Sequence, residues 1–221
     1  MSVEILRTLV EDGRPSVLRR VGGRLELVLG NVVLLSSAAL ETELVFGRLA
    51  EEALGRTQPR ARVLVGGLGF GATLRGVLEV ASPATQVVVV EKLHAVVDVA
   101  RGEAAALLAG ALDDPRVELR EGDVADVIDA AEPGSLSAIL LDVDNGPEWA
   151  SFRTNARLYA HAALERARAA LAPGGILAVW SGYPADTFVG ALRRAGFAPR
   201  VEPLRERGVV RARAYVGAAG G

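Results

Sequence analysis

The rhythm of hydrophobic and polar positions changes near residue 60. Within 16–35, the segment VLRRVGGRLELVLGNVVLL breaks into short β-type runs divided by Gly22-Gly23 and Gly30-Asn31. Such pairs favour tight hairpin turns, so a small antiparallel hairpin or meander is expected there. Ser36 and Ser37 suit the cap of a helix reaching about Leu54, with Glu41 and Glu43 in its positive first turn. The stretch GRTQPR, Gly55 to Arg60, reads as a boundary: glycine ends a helix and Pro59 resists restarting one. From Ala61 onward, short apolar runs alternate with helical periods. RVLVG (62–66), QVVVV (86–90), RVELR (116–120), SAILLDVD (137–144) and GILAVWS (175–181) read as strands, followed by β-type segments at about 198–204 and 209–216. Helices are expected over 73–80, 93–108, 124–131, 155–171 and 185–195. Strands this continuously apolar are buried on both faces. The alternation predicts an α/β fold, a mostly parallel seven-stranded sheet with helices on both faces, over 61–221. A small N-terminal β-hairpin and helix region, 1–60, precedes it, and the tail GAAGG is expected to fray.

Composition narrows the function classes. The chain has 221 residues, half of them hydrophobic, and a formal net charge of −2. No basic footprint for nucleic acid is present. The absence of cysteine excludes disulfides, thiolate metal sites and a cysteine nucleophile. No apolar run approaches the ~18 residues of a membrane span, and MSVEILRTLVEDGRPS lacks the apolar core of a signal peptide. A cytoplasmic protein without a membrane partner is expected. His94 and His161 show no metal-ligand spacing and read as surface or helix residues; no metal motif is visible.

The strongest local signal is VLVGGLGFGATLR (63–75), where a strand runs into Gly67, Leu68, Gly69 and Gly71 and a helix begins. Glycines let the backbone turn tightly and let a ligand approach it, while the open N–H groups of the helix start favour anions. Glu91 directly follows QVVVV, twenty positions after Gly71. An acid at the tip of the second strand can accept both ribose hydroxyls, though a solvated loop glutamate is the plainer alternative. Asp123, followed by Val124, lies just past the third strand, where the adenine of a Rossmann-bound nucleoside would sit; an N-cap role can coexist with that. Asp142 ends the fourth strand, where open α/β sheets bind ligands. Gly67, Gly69 and Ala72 also satisfy the dinucleotide pattern G-x-G-x-x-A, so an NAD-linked oxidoreductase is a competing reading.

Taken in order, VLVGGLGFGATLR, VVVVEKLHAVVDVAR, DPRVELREGDVADVI, AILLDVDNGPEW, NARLY and LAPGGILAVWS resemble the spermidine synthase-like branch of the Rossmann-like S-adenosylmethionine-dependent transferases. The resemblance runs from about Leu25 to Phe197. It implies S-adenosylmethionine, or its decarboxylated form, as the bound adenosyl compound, a small-molecule acceptor, and a homodimer formed through the N-terminal β region. The departures bear on the reaction. Phe70 stands where aminopropyltransferases carry an acid in the glycine loop, Asn145 stands at the second acid of their Asp-x-x-Asp-Pro motif, and their Tyr-His pair is absent around Val45 and Phe46.

An amine nucleophile must be neutral to attack, so a carboxylate beside it helps. Asp142 and Asp144 are the catalytic candidates; as i and i+2 they share a face if the strand extends that far, but Asp144-Asn145-Gly146-Pro147 also reads as a turn. Asn145, Trp149 and Tyr159 are the acceptor-site candidates, Trp149 and Tyr159 being equally readable as packing, while Trp180 favours packing in a central strand. Transfer of a methyl group to a small amine or hydroxyl is the first expectation because of Phe70 and Asn145. The alternatives are aminopropyl transfer and a non-catalytic nucleoside-binding module.

Overall fold

The computed structural model describes every residue except 1, 12, 39, 56–59, 144, 145, 148–154 and 221, and at 156 the backbone alone. A four-stranded antiparallel meander opens the chain: β1 (Val3–Glu11), β2 (Arg14–Val21), β3 (Arg24–Leu29) and β4 (Val32–Ser36). The turn pairs at Gly22-Gly23 and Gly30-Asn31 fall where expected, and β1 is an addition to the sequence reading.

The expected capped helix is shorter and broken, into α1 (Leu40–Arg48) and α2 (Glu51–Leu54). Ser37 does not cap it, because its hydroxyl accepts instead from the Leu25 N–H at 2.9 Å and so belongs to the small sheet. Both helices pack on the large sheet.

That sheet has seven strands in the order β10-β11-β9-β8-β5-β6-β7. β5 (Arg62–Gly66), β6 (Gln86–Glu91), β7 (Val117–Glu121), β8 (Leu136–Leu141) and β9 (Leu171–Ser181) run parallel. β10 (Phe197–Glu206) and β11 (Val209–Ala219) form a closing hairpin, with β11 inserted antiparallel beside β9. The tail is more ordered than expected: Ala218 pairs with Ile176 and Ala219 with Phe197, so two neighbouring strands hold it.

The helices α3 (Ala72–Val80), α4 (His94–Arg101), α5 (Ala105–Leu108), α6 (Val124–Asp129), α7 (His161–Ala170) and α8 (Asp186–Arg194) fill the crossovers. The long helix expected over 93–108 is split at Gly102, whose N–H returns to the carbonyls of Asp98 and Val99. Alternate strand residues feed two cores. Val63, Val65, Val87, Val89, Ile176 and Ala178 meet α1, α3 and α4 on one face. Leu64, Val88, Val90, Ile139, Leu177 and Val179 meet α6, α7 and α8 on the other. Period-two alternation in runs that are apolar throughout is what a sheet covered on both faces requires.

One contact sets the position of α1. A Cβ on Gly47 would lie 2.1 Å from the Thr73 carbonyl oxygen, and one on Gly76 would lie 2.1 Å from that of Leu44. Only paired glycines let α1 and α3 meet backbone to backbone, and that approach brings Glu43 and Thr73 together over the end of the sheet. Among the described residues no helix is long and apolar enough to cross a membrane.

Candidate active site

The carboxyl ends of β5, β6, β7 and β8 open into a cavity of about 540 Å³, roofed by Leu29 and Val33 to Ser36 of the small sheet. Its size falls within the range of small-molecule sites, roughly 300–1,000 Å³. Gly67, Gly69, Glu91, Asp123, Val124 and Asp142 all border it, so one space gathers most of the residues singled out from the sequence.

The glycine loop is shaped by what lies against it. Gly67 has a φ of 91°, and a Cβ there would lie 2.1 Å from the Asp142 carbonyl oxygen. Its N–H donates to Val90 O at 2.8 Å, and the Asp142 N–H donates to Gly66 O at 2.8 Å, which ties the loop to strands on both sides. Leu68 is buried and contributes its N–H, while Gly71 begins α3 with a Cβ position occupied by Leu108. Leu68 and Gly71 thus build the loop without bordering the cavity.

Glu91 holds that loop from beneath. Its Oε2 accepts from the Leu68 N–H and its Oε1 from the Leu93 N–H, each at 2.9 Å. Burial pushes its carboxyl up, and the N–H groups of Leu68, Leu93, Lys92 and Gly69 pull it back. Of the about four acceptor positions of a carboxylate, the Leu68 and Leu93 N–H groups take one on each oxygen, and the residue itself borders the cavity. Asp123 caps α6 through the Ala125 N–H at 3.0 Å, and its other oxygen meets Lys92 Nζ at 3.0 Å and Arg157 at 2.8 Å. Burial alone would raise its carboxyl, but these donors together hold it below its ordinary value.

Asp142 follows β8, which ends one residue earlier at Leu141. Asp144, which the sequence reading placed with Asp142 on one face, lies outside the described residues. The Thr73 hydroxyl donates to Asp142 Oδ2 at 2.6 Å. Burial pushes the Asp142 carboxyl up to about 6, against the pull of Thr73 and with a further push from the charge of Glu91.

Sequence reasoning missed Glu43 as a site residue, having read it as a first-turn acid of the helix. It borders the cavity, and burial followed by the negative charge of Asp142 lifts its carboxyl well above the ordinary range. Its spacing from Ser36 and Ser37 carried no hint of this, because the α1–α3 contact that turns it inward joins segments thirty residues apart. Trp180 also borders the cavity, with a buried indole Nε1 that finds no acceptor among the described residues. Asn155, the first residue of NARLY, lines the cavity, whereas Tyr159 packs edge-on against Phe188, ring centroids 5.6 Å apart, away from it. Asp144, Asn145 and Trp149 lie outside the described residues. Among the described residues no cluster of histidines and acids is arranged to hold a metal.

A glycine loop, an acid at the second strand tip and a sheet closed by an antiparallel hairpin give the chain a fold like that of the class I S-adenosylmethionine-dependent transferases. Its form is spermidine synthase-like, with the added N-terminal antiparallel sheet. The chain superposes on the spermidine synthase of Thermotoga maritima with a TM-score of 0.74 and 19% identity, covering 99% of this chain and 73% of that one. A spermidine synthase in complex with the transition-state analogue AdoDATO matches at a TM-score of 0.73 and 18% identity, with the same coverage. A probable spermidine synthase from Corynebacterium glutamicum matches at 0.63 and 16%, covering 97% and 80%. In sequence, the chain is 35% identical over 130 residues to polyamine aminopropyltransferase 2 of Pseudomonas aeruginosa, a match covering 57% of this chain. The matched segment spans about a third of that relative, 34% of its length. No protein-family model matches the chain.

Proposed function

We propose that the chain transfers an aminopropyl group from decarboxylated S-adenosylmethionine to a small amine, with Asp142 as the general base. The observation that carries this reading is the placement of Asp142: a half-buried carboxylate at a strand end, against the glycine loop and on the cavity. The name of the sequence relative points the same way. Methyl transfer, the first expectation from the sequence, becomes the second reading; Phe70, buried and on the cavity where an acid was expected, is the observation in its favour.

In this reading Glu91 accepts the ribose hydroxyls, and Asp123 and Val124 flank the adenine. Gly67 lets the loop close on the Asp142 backbone, and Gly69 leaves room beneath the chain that leads to sulfur. The sulfonium supplies the leaving group: as the amine nitrogen bonds to carbon, the C–S bond breaks and its electron pair stays on sulfur as a neutral thioether. Asp142 takes the proton that the amine loses. A carboxyl near 6 is ionised at neutral pH and still basic enough to share a proton, which is the balance a general base needs. Thr73 holds the accepting oxygen in place. Orientation supplies the rest, roughly 7–11 kcal/mol for well-aligned partners.

The test is calorimetry with S-adenosylmethionine, its decarboxylated form and 5′-methylthioadenosine, followed by product assay with 1,4-diaminobutane. Preference for the decarboxylated donor and formation of a new secondary amine are expected. Preference for S-adenosylmethionine with methylated product would move the assignment to methyl transfer, and binding without product from any acceptor would favour the non-catalytic module.

A further inference from the structure

Helix α1 supplies the cavity with a carboxylate that no described residue bonds through its side chain. Glu43 borders the same space as Asp142 and the glycine loop. No hydrogen bond from the described residues reaches its side chain; the one contact near it, from the Thr73 hydroxyl at 3.4 Å, goes to its backbone carbonyl. A role at the helix terminus does not account for it. Glu41, in the same first turn, is exposed and serves the helix dipole in water, whereas Glu43 is turned into the protein beside a second acid. A half-buried carboxylate without donors among the described residues is costly, and a second one nearby raises the cost, unless a cation joins them. Phe70, the loop residue that faces the cavity, offers no charge to fill that need.

We propose that Glu43 is a specificity-determining residue that binds the primary ammonium of the donor's three-carbon arm and, with Asp142, repels a donor that carries a carboxylate on that arm. This rests on the aminopropyl reading above. Decarboxylated S-adenosylmethionine presents an ammonium alone, and S-adenosylmethionine presents the same ammonium with a carboxylate attached. Two carboxylates on one cavity therefore favour the first and reject the second. Selection for the decarboxylated donor then comes from a helix outside the parallel core, held there by the Gly47–Gly76 contact.

The experiment is calorimetry on the full chain and its E43Q variant with three ligands: decarboxylated S-adenosylmethionine, S-adenosylmethionine and 5′-methylthioadenosine, which has the nucleoside and no ammonium. E43Q removes a crowded charge and keeps the side chain's shape, so the fold is retained; thermal melting checks this. The decarboxylated donor should lose roughly 10- to 100-fold in affinity, the worth of a charge-assisted hydrogen bond. Affinity for 5′-methylthioadenosine should stay constant, and the preference for the decarboxylated donor over S-adenosylmethionine should shrink. If E43Q keeps the full preference, Glu43 is not the selector. If wild-type protein fails to bind 5′-methylthioadenosine at all, the adenosyl reading of the cavity has failed, and this inference falls with it.

Discussion

Thr73 Oγ1 lies 2.6 Å from Asp142 Oδ2, joining the first turn of α3 to the residue that ends β8. A hydroxyl that donates to a carboxylate favours the charged form. T73V keeps the shape and deletes the donor, so Asp142 should hold its proton to a higher pH. A hydrogen bond to a charged group is worth about 1.5–3 kcal/mol, or roughly one to two pH units. The acidic limb of the rate profile should move up by about that amount in T73V, with the rate at high pH approaching that of wild type. A limb that does not move would separate Asp142 from the proton transfer.

Asp142 also has a stability signature. Its carboxyl titrates near 6 in the folded protein against an ordinary 3.8. Between those values the folded state binds more protons than the unfolded one, so stability falls as pH rises through the window, and the loss persists above it. Two units set a ceiling of about 3 kcal/mol, which relaxation around the site reduces. D142N removes the charge, keeps an acceptor for Thr73, and should therefore melt above wild type at pH 8 and near it at pH 4 while losing transferase activity. For a chain of this size about 1 kcal/mol moves the midpoint by about 2–4 °C. Equal midpoints at both pH values would mean that the Asp142 carboxyl is not destabilised by its surroundings.

The parallel sheet was legible because its strands carry continuous runs of β-branched and aliphatic residues bounded by glycine, as in QVVVV before Glu91. Those runs depend on burial between two helix layers, a constraint that acts locally. The loop, Glu91 and Asp123 were legible for a similar reason, since each sits at a strand end and strand ends can be read from the run. Glu43 and Trp180 were not. Glu43 is brought to the cavity by helix packing between distant segments, and Trp180 borders it from within a strand whose apolar character suggested packing alone. Strand β1 escaped because VEILRTLVE interrupts its apolar positions with charge, and half of it stays exposed, including Ile5 at 68%. Tyr159 was ambiguous in the sequence, because an aromatic inside a matching motif reads as a site residue as readily as a core one; its ring lies edge-on to Phe188.

The small sheet is fastened to the large domain at the cavity's edge. Glu11 at the end of β1 accepts from the Ala95 N–H at 2.7 Å, serving as a cap for α4 from outside that helix, and Arg7 pairs with Asp98 one turn further on at 2.6 Å. A capping acceptor contributes about 0.5–2 kcal/mol. E11A should cost about that amount in chemical denaturation. Amide hydrogen exchange should rise first at Ala95 and Val96, with little change in α7 on the opposite face. Uniform acceleration across both faces would show that Glu11 acts on global stability and not on this joint.

Glu91 supports the glycine loop and faces the cavity, so a variant that merely weakens binding would not distinguish the two roles. Each Glu91 oxygen holds one loop N–H, that of Leu68 or of Leu93. A ribose, by contrast, is sensed only through its hydroxyls. Wild-type protein should bind 5′-methylthioadenosine more tightly than its 2′-deoxy counterpart, by roughly tenfold or more for a hydrogen bond to a charged group. E91Q has one acceptor oxygen instead of two, and the loop N–H of Leu68 competes for it. Both nucleosides should then bind weakly and with nearly equal affinity. If E91Q weakens both equally and the wild-type preference survives intact, Glu91 only shapes the loop, and the ribose is held by another group.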